Sequence, residues 1–306
     1  MLGVTLEDMA LETVGFLGLG IMGYPMATHL VKGGKKVTVW SKNGEKARQF
    51  ANETGATVVN TPKEVAQAVD VLFLCVGTTE MSREVLVGKD GVLQSGKKGL
   101  IVADSSTISP EGSREIGKEL EAAGIRYLDA PCTGSKAGAE GGTLTFMIGG
   151  DKTIFEQTKP IFELMGKQFY YCGGPGLGLQ AKLTQNLILA NIMQAFNEGI
   201  VLAAKGGVDP KTMYEILDNS AAKSGLISGK APKIFKRDFT THFSTKWMHK
   251  DVSMALDAAR SLGIPLPVTA VTQQMFQAAI SGGNADADFC STVQTMEKLA
   301  GIEVKG

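Results

Sequence analysis

The chain has 306 residues, 43% of them hydrophobic, with 31 Lys+Arg against 31 Asp+Glu and so no formal net charge. That length holds one or two domains with full cores, and the balanced charge argues against a nucleic-acid partner or a basic membrane-binding patch. The opening "MLGVTLEDMALE" carries acids and no cationic stretch before an apolar core, so no secretory leader is expected, and without a run of about 18 apolar residues no membrane span is expected.

The first half alternates β-like and helical stretches. "VGFLGLG" (14–20) is β-rich and leads into the helical "IMGYPMATHLVKGG" with its glycine stop. "KVTVW" (36–40) is a second strand, "GEKARQFANETG" a polar-faced helix and "ATVVN" (56–60) a short strand. In "TPKEVAQAVD", Thr61 is placed as the N-cap and Pro62 at the first helical position. "VLFLCV" (71–76) is continuously apolar, as a strand buried on both faces would be, and "GLIVADSS" (99–106) repeats that theme. "SPEGSREIGKELEAAG" is a capped helix ending in glycine, and "IRYLDAP" and "TLTFMIGG" read as further strands. This rhythm predicts an α/β Rossmann-type doubly wound parallel sheet, its ligand crevice beyond the strand C-termini.

From residue 174 the β signals fade. In "GPGLGLQAKLTQNLILANIMQAFNEGIVLAAKGG", Leu183, Leu187, Ala190, Met193, Phe196 and Ile200 recur at helical spacing, predicting one helix of about 25 to 30 residues and about 40 Å. "DPKTMYEILDNS", "KWMHKDVSMALDAARSLG" and "PVTAVTQQMFQAAISGG" add more helices. The expected organisation is a dinucleotide-binding domain over 1–174 and an all-α C-terminal domain over 175–306, opened by the long helix.

Gly18, Leu19, Gly20, Ile21, Met22 and Gly23 form a G-x-G-x-x-G turn with a strand before and a helix after. Gly18 permits the turn, Gly20 lets backbone approach a pyrophosphate, Gly23 lets helix and strand pack, and the helix N-terminus offers N–H groups to phosphate. An NAD-type ribose carboxylate is missing about 20 residues on: Ser41 and Lys42 stand there instead. A hydroxyl and an ammonium suit a ribose phosphate, so the cofactor expected is NADP. "CVGTTE" (75–80), with Cys75 and Val76, and "DSSTISP" (104–110) follow strands, where hydroxyls can reach the nicotinamide ribose or carboxamide; Thr107 or Ser109 equally could cap the next helix. Thr133-Gly134-Ser135 can turn backbone N–H groups inward for a small carboxylate. Lys182 and Asn186, four apart, share a helix face, and Phe243, Lys250 and Asp251 could face the crevice. Cys75, Cys132, Cys172 and Cys290 are far apart without a CxxC pair, and His29, His242 and His249 are scattered, so neither disulfide nor metal is expected and a reducing cytoplasm is the default compartment.

Four blocks in order, GLGIMGYPMA, DAPCTGSKAGAEGGTL, GLGLQAKLTQN and KDVSMALDAA, resemble the β-hydroxyacid dehydrogenase family from about residue 14 to 300. The resemblance implies an enzyme that moves hydride between NADP(H) and a small β-hydroxyacid, semialdehyde or glyoxylate-type substrate. Lys182 would be the catalytic lysine and Asn186 its substrate-side partner. Thr133, where the family usually has serine, would bind the substrate carboxylate with Gly134 and Ser135. Thr107 would sit at the nicotinamide end, Phe243 and Asp251 would line the site, and Lys250 would reach the cofactor. NADP-using members carry Asn-Arg-Thr where this chain has Ser41-Lys42-Asn43, which keeps a positive charge without the guanidinium fork. "TGSK" resembles the glyoxylate/succinic semialdehyde reductases and "GTLTFMIGG" the hydroxyisobutyrate branch. An NAD-dependent 3-hydroxyisobutyrate dehydrogenase and an imine-reductase-like enzyme are the alternatives; the latter commonly replace the lysine. The exposed side of the long helix and the family analogy suggest a homodimer or homotetramer.

Overall fold

The computed structural model describes residues 11–305. The opening stretch read above as lacking a leader lies, save Leu11 and Glu12, outside the described residues. The chain forms two compact units, Met1–Lys182 and Leu183–Gly306. The expected α/β Rossmann-type doubly wound sheet, followed by a helical C-terminal region, is what it adopts.

In the first unit the chain runs β1 (Thr13–Leu17), α1 (Gly23–Lys32), β2 (Lys36–Trp40), α2 (Gly44–Thr54), β3 (Thr57–Val58), α3 (Pro62–Ala68), β4 (Val71–Leu74), α4 (Thr79–Val87), β5 (Ile101–Asp104), α5 (Pro110–Ala122) and β6 (Arg126–Asp129). These six strands are parallel, in the order β3-β2-β1-β4-β5-β6. β4 and β5 are buried at every position, as strands covered on both faces are. Local caps fix the helix starts. Thr61 Oγ1 accepts the Glu64 N–H at 3.2 Å, while the Glu64 carboxylate accepts the Asn60 N–H at 3.0 Å and the Thr61 hydroxyl at 3.1 Å.

The sheet then departs from the purely parallel expectation. β7 (Cys132–Thr133), α6 (Ser135–Glu140), β8 (Leu144–Gly150), α7 (Lys152–Phe162) and β9 (Gly166–Gly173) follow, and β8 runs antiparallel to both β6 and β7. Only a short segment separates β7 from β8, and a parallel crossover needs a dozen residues or more. β9 returns parallel to β8 after α7. Phe16, Phe73, Phe146 and Phe162 meet in the core beneath one sheet face.

α8 (Leu177–Lys205), 29 residues long, opens the helical part, followed by α9 (Pro210–Asp218), α10 (Gly225–Phe235), α11 (Thr245–Ser261), α12 (Pro267–Ala279) and α13 (Val293–Ala300). α8 amends one expectation: its polar residues interrupt every apolar run, yet its length and average composition would allow it to cross a membrane. In the second unit Met193, Phe196 and Ile200 of α8 join Ile234, Val252, Phe276 and Phe289 in one core. Its polar side chains bond to neighbouring helices and to the turn before α13, Asn191 to Thr269 at 3.1 Å and Asn197 to Thr292 at 2.8 Å.

Candidate active site

The turn between β1 and α1 is shaped by two of its glycines and opened by the third. Gly18 lies at φ +92° and donates its N–H to the Trp40 carbonyl at 3.0 Å; a Cβ there would overlap the Cys75 carbonyl. A Cβ on Gly23 would overlap the Gly18 carbonyl and press on the Phe16 ring. Around Gly20 a Cβ would meet nothing within 4 Å, so the backbone there is open to a ligand. Leu19 is buried beneath the loop, while Ile21 is exposed and Met22 stands at the N-cap of α1. That cap makes no side-chain hydrogen bond and the first turn holds no acid, leaving N–H groups and the positive end of the helix dipole for an anion. The arrangement fits the pyrophosphate of a dinucleotide.

Beyond β2 stand Ser41 and Lys42, and no carboxylate occupies the strand end. Asn43 is the N-cap of α2, its Oδ1 accepting the Lys46 N–H at 3.2 Å. The Lys42 ammonium is exposed and lies 4.0 Å from Glu84 on α4, a neighbour that sequence reasoning missed.

At the ends of β4 and β5 one buried carboxylate organises the backbone. Asp104 accepts the Ser106 N–H at 2.8 Å, and Ser106 Oγ in turn accepts the Val76 N–H at 2.9 Å. The turn that carries Cys75 and Val76 is thereby tied to the one that carries Thr107. Burial pushes the Asp104 carboxyl up to about 6, against the hydrogen bonds from Ser106. Of the two residues that could cap α5, Ser109 does so, accepting the Gly112 N–H at 3.3 Å.

Thr133 ends β7, and Gly134 and Ser135 follow with φ of +131° and +54°. Positive φ at Ser135, a residue with a Cβ, is backbone strain of the kind held at binding sites. Lys182 projects from α8 and is 8% exposed. Burial pushes the Cys132 thiol up to about 11 and the Lys182 ammonium pulls it partly back, so Lys182 lies within electrostatic reach of β7, the strand that leads into Thr133–Ser135. Asn186 is one turn further along α8.

In the second unit the structure joins three of the expected residues. Asn186 donates to Asp251 Oδ2 at 2.6 Å, and the Lys250 ammonium is 3.2 Å from Asp251 Oδ1 and 5.3 Å from the Trp247 ring. Asn186 and Asp251 are both buried. Phe243 packs edge-on against Phe289 with ring centres 6.2 Å apart. Its backbone is held by Asp288, which accepts the His242 and Phe243 N–H groups at 3.0 and 3.3 Å and pairs with Lys230 at 2.7 and 2.9 Å. Asp104, Lys230 and Asp288 are supports that sequence reasoning missed.

Residues 13–174 match the family described as the NAD binding domain of 6-phosphogluconate dehydrogenase, and 176–296 that described as NAD-binding of NADP-dependent 3-hydroxyisobutyrate dehydrogenase. The chain is 36% identical to 2-hydroxy-3-oxopropionate reductase of Escherichia coli strain K12, over 94% of this chain and 98% of the relative. The chain belongs to the β-hydroxyacid dehydrogenase family. Another member, glyoxylate/succinic semialdehyde reductase 1 of Arabidopsis thaliana, is 36% identical over 93% of this chain and 98% of its own. In three dimensions the chain is similar to the Mycobacterium tuberculosis 3-hydroxyisobutyrate dehydrogenase solved with L-serine, with a TM-score of 0.86 and 30% identity, covering 94% of this chain and 99% of that one. As a β-hydroxyacid dehydrogenase it is an NAD(P)-dependent oxidoreductase of small hydroxyacids or semialdehydes.

Proposed function

We propose that this dehydrogenase uses NADP(H) and acts on a small semialdehyde, β-hydroxyacid or glyoxylate-type substrate, with Lys182 as general acid and base. The observation that carries this reading is a buried lysine on α8 within electrostatic reach of β7, the strand before the strained Gly134–Ser135 turn. The bound nicotinamide supplies or accepts the hydride. In reduction the developing alkoxide needs positive charge and a proton, and the Lys182 ammonium provides both. Thr133, Gly134 and Ser135 hold the substrate carboxylate. Asn186, steadied by Asp251, orients the reacting oxygen, and Phe243 closes an apolar side. Lys250 serves the cofactor with Cys75, Val76 and Thr107, while Gly18, Leu19, Gly20, Ile21, Met22 and Gly23 receive its pyrophosphate and Ser41 and Lys42 its ribose phosphate.

The same reading takes 1–174 as the NADP-binding domain and 175–306 as the substrate domain of a homodimer or homotetramer. All four cysteines are free thiols, which supports a reducing, cytoplasmic setting. The test is a turnover screen of the purified chain with glyoxylate, succinic semialdehyde and 2-hydroxy-3-oxopropionate in reduction, and 3-hydroxyisobutyrate in oxidation, each with both coenzymes. Turnover of at least one substrate, faster with the phosphorylated coenzyme, is expected. No turnover of any refutes the substrate class, and faster turnover with NAD(H) refutes the cofactor assignment.

A further inference from the structure

Asp129 closes β6 and is completely buried, yet its carboxylate is engaged by backbone from far along the chain. Oδ1 accepts the Gly176 N–H at 2.7 Å and Oδ2 the Leu179 N–H at 2.9 Å. These two donors flank and begin the first turn of α8, where N–H groups have no partner within the helix. A local Ser, Thr, Asp or Asn normally supplies that partner. Here the residue before Leu177 is Gly176, at φ +81°, and it has no side chain to offer. Asp129 therefore caps α8 from a strand 47 residues upstream.

The same turn is closed in sterically. A Cβ on Gly149 of β8 would overlap Asp129 Oδ1 and stand 2.8 Å from both Oδ2 and the Gly178 nitrogen. A Cβ on Gly178 would come within 2.5 Å of the Met147 carbonyl oxygen and 2.8 Å of the Asp129 carbonyl oxygen. The start of α8 thus sits against β6 and β8 at backbone contact distance. Gly178 and Lys182 are four residues apart, so the lysine stands one turn above that contact on nearly the same face. Where the carboxylate holds the first turn, a stiff helix places the ammonium.

We propose that Asp129 is the positioning residue for Lys182, acting through the first turn of α8 and touching neither substrate nor cofactor. The proposal rests on the reading of Lys182 as the acid and base. Burial pushes the Asp129 carboxyl up to about 6, the Gly176 and Leu179 N–H groups pull it back, and Asp104 on β5 adds to the rise, so at neutral pH it is a charged acceptor. Tyr127 and Cys172 are the other titratable groups that feel its charge.

The test is Asp129→Asn, which keeps the shape but turns an NH2 toward one of the two backbone donors. Its kcat should fall about 30-fold, the scale of a small misplacement of a reacting group, while KM changes far less. The coenzyme dissociation constant, read from tryptophan fluorescence, should stay within about twofold. In a Lys182→Ala background the same change should lower the residual kcat by less than about threefold, because the two residues act as one unit. Gly149→Ala, which displaces the carboxylate and keeps its charge, should give the same signature. A kcat for Asp129→Asn within about twofold of the parent overturns the proposal, as does full additivity with Lys182→Ala. Loss of cooperative folding in both Asp129→Asn and Gly149→Ala overturns it in favour of a folding role. Parental turnover in Lys182→Ala alone sinks the acid–base reading instead, whatever Asp129→Asn does.

Discussion

Lys182→Ala should lower kcat by about a thousandfold, the range of a lost proton carrier, and leave coenzyme binding unchanged in a fluorescence titration; turnover near the parental rate would refute the role. Lys42 carries a different consequence. Its exposed pair with Glu84 contributes little to stability, so Lys42→Ala should leave the melting temperature in place. It should raise KM for NADPH about tenfold, the loss of one charge-assisted hydrogen bond, and leave NADH untouched. An equal effect on both coenzymes would remove Lys42 from phosphate recognition. These two lysines were legible in the chain because each stands out from its surroundings, one in an apolar helix and one where a carboxylate is usual. Asp104, Asp129 and Asp288 were not legible as anchors. A lone aspartate at a strand or helix end reads the same whether it faces water or accepts backbone donors that the chain brings from dozens of residues away.

Among the elements, the turn after β1 separates two kinds of glycine. Gly18→Ala must relieve both a positive φ and an overlap with the Cys75 carbonyl, and should lower stability by about 2–4 kcal/mol in urea unfolding. Gly20→Ala meets open space; its stability should change by less than about 0.5 kcal/mol, while coenzyme affinity falls. Equal losses of stability would contradict the distinction. The end of β5 gives a pH dependence. Asp104 has its carboxyl raised in the folded chain to about 6 from 3.8, so its contribution to stability is full below the unfolded value and is lost as pH rises through about 6. A difference of that size between the folded and unfolded chain corresponds to about 3 kcal/mol. Asp104→Asn should therefore flatten the rise in urea midpoint between about pH 7.5 and about pH 4; an unaltered slope would show that Asp104 titrates like a surface carboxylate. The parallel strands were readable because burial on both faces leaves runs such as Val71–Leu74 wholly apolar. β7 is two residues long and β9 is largely exposed, so neither carries a pattern of its own.

Over the whole molecule, each unit fixes backbone with a buried carboxylate, Asp104 in the first. In the helical unit that carboxylate is Asp288, with Lys230 as counter-ion. Lys230→Ala leaves a carboxylate in the interior without its cation, and the unit should lose about 3–5 kcal/mol in urea unfolding; a loss below about 1 kcal/mol would mean that water reaches the site. The division into a sheet-based half and a helical half was visible in the fading of β signals after Gly173, although the contacts divide at Lys182 and Leu183, inside the long helix. That helix limits how such a chain can diverge. Inserting one amino acid between Lys182 and Asn186 would swing everything after it by about 100° about the axis and advance it by about 1.5 Å. Descendants of this gene can therefore exchange exposed positions such as Thr184, but an insertion or deletion in the stretch would take Lys182 and Asn186 off their shared face.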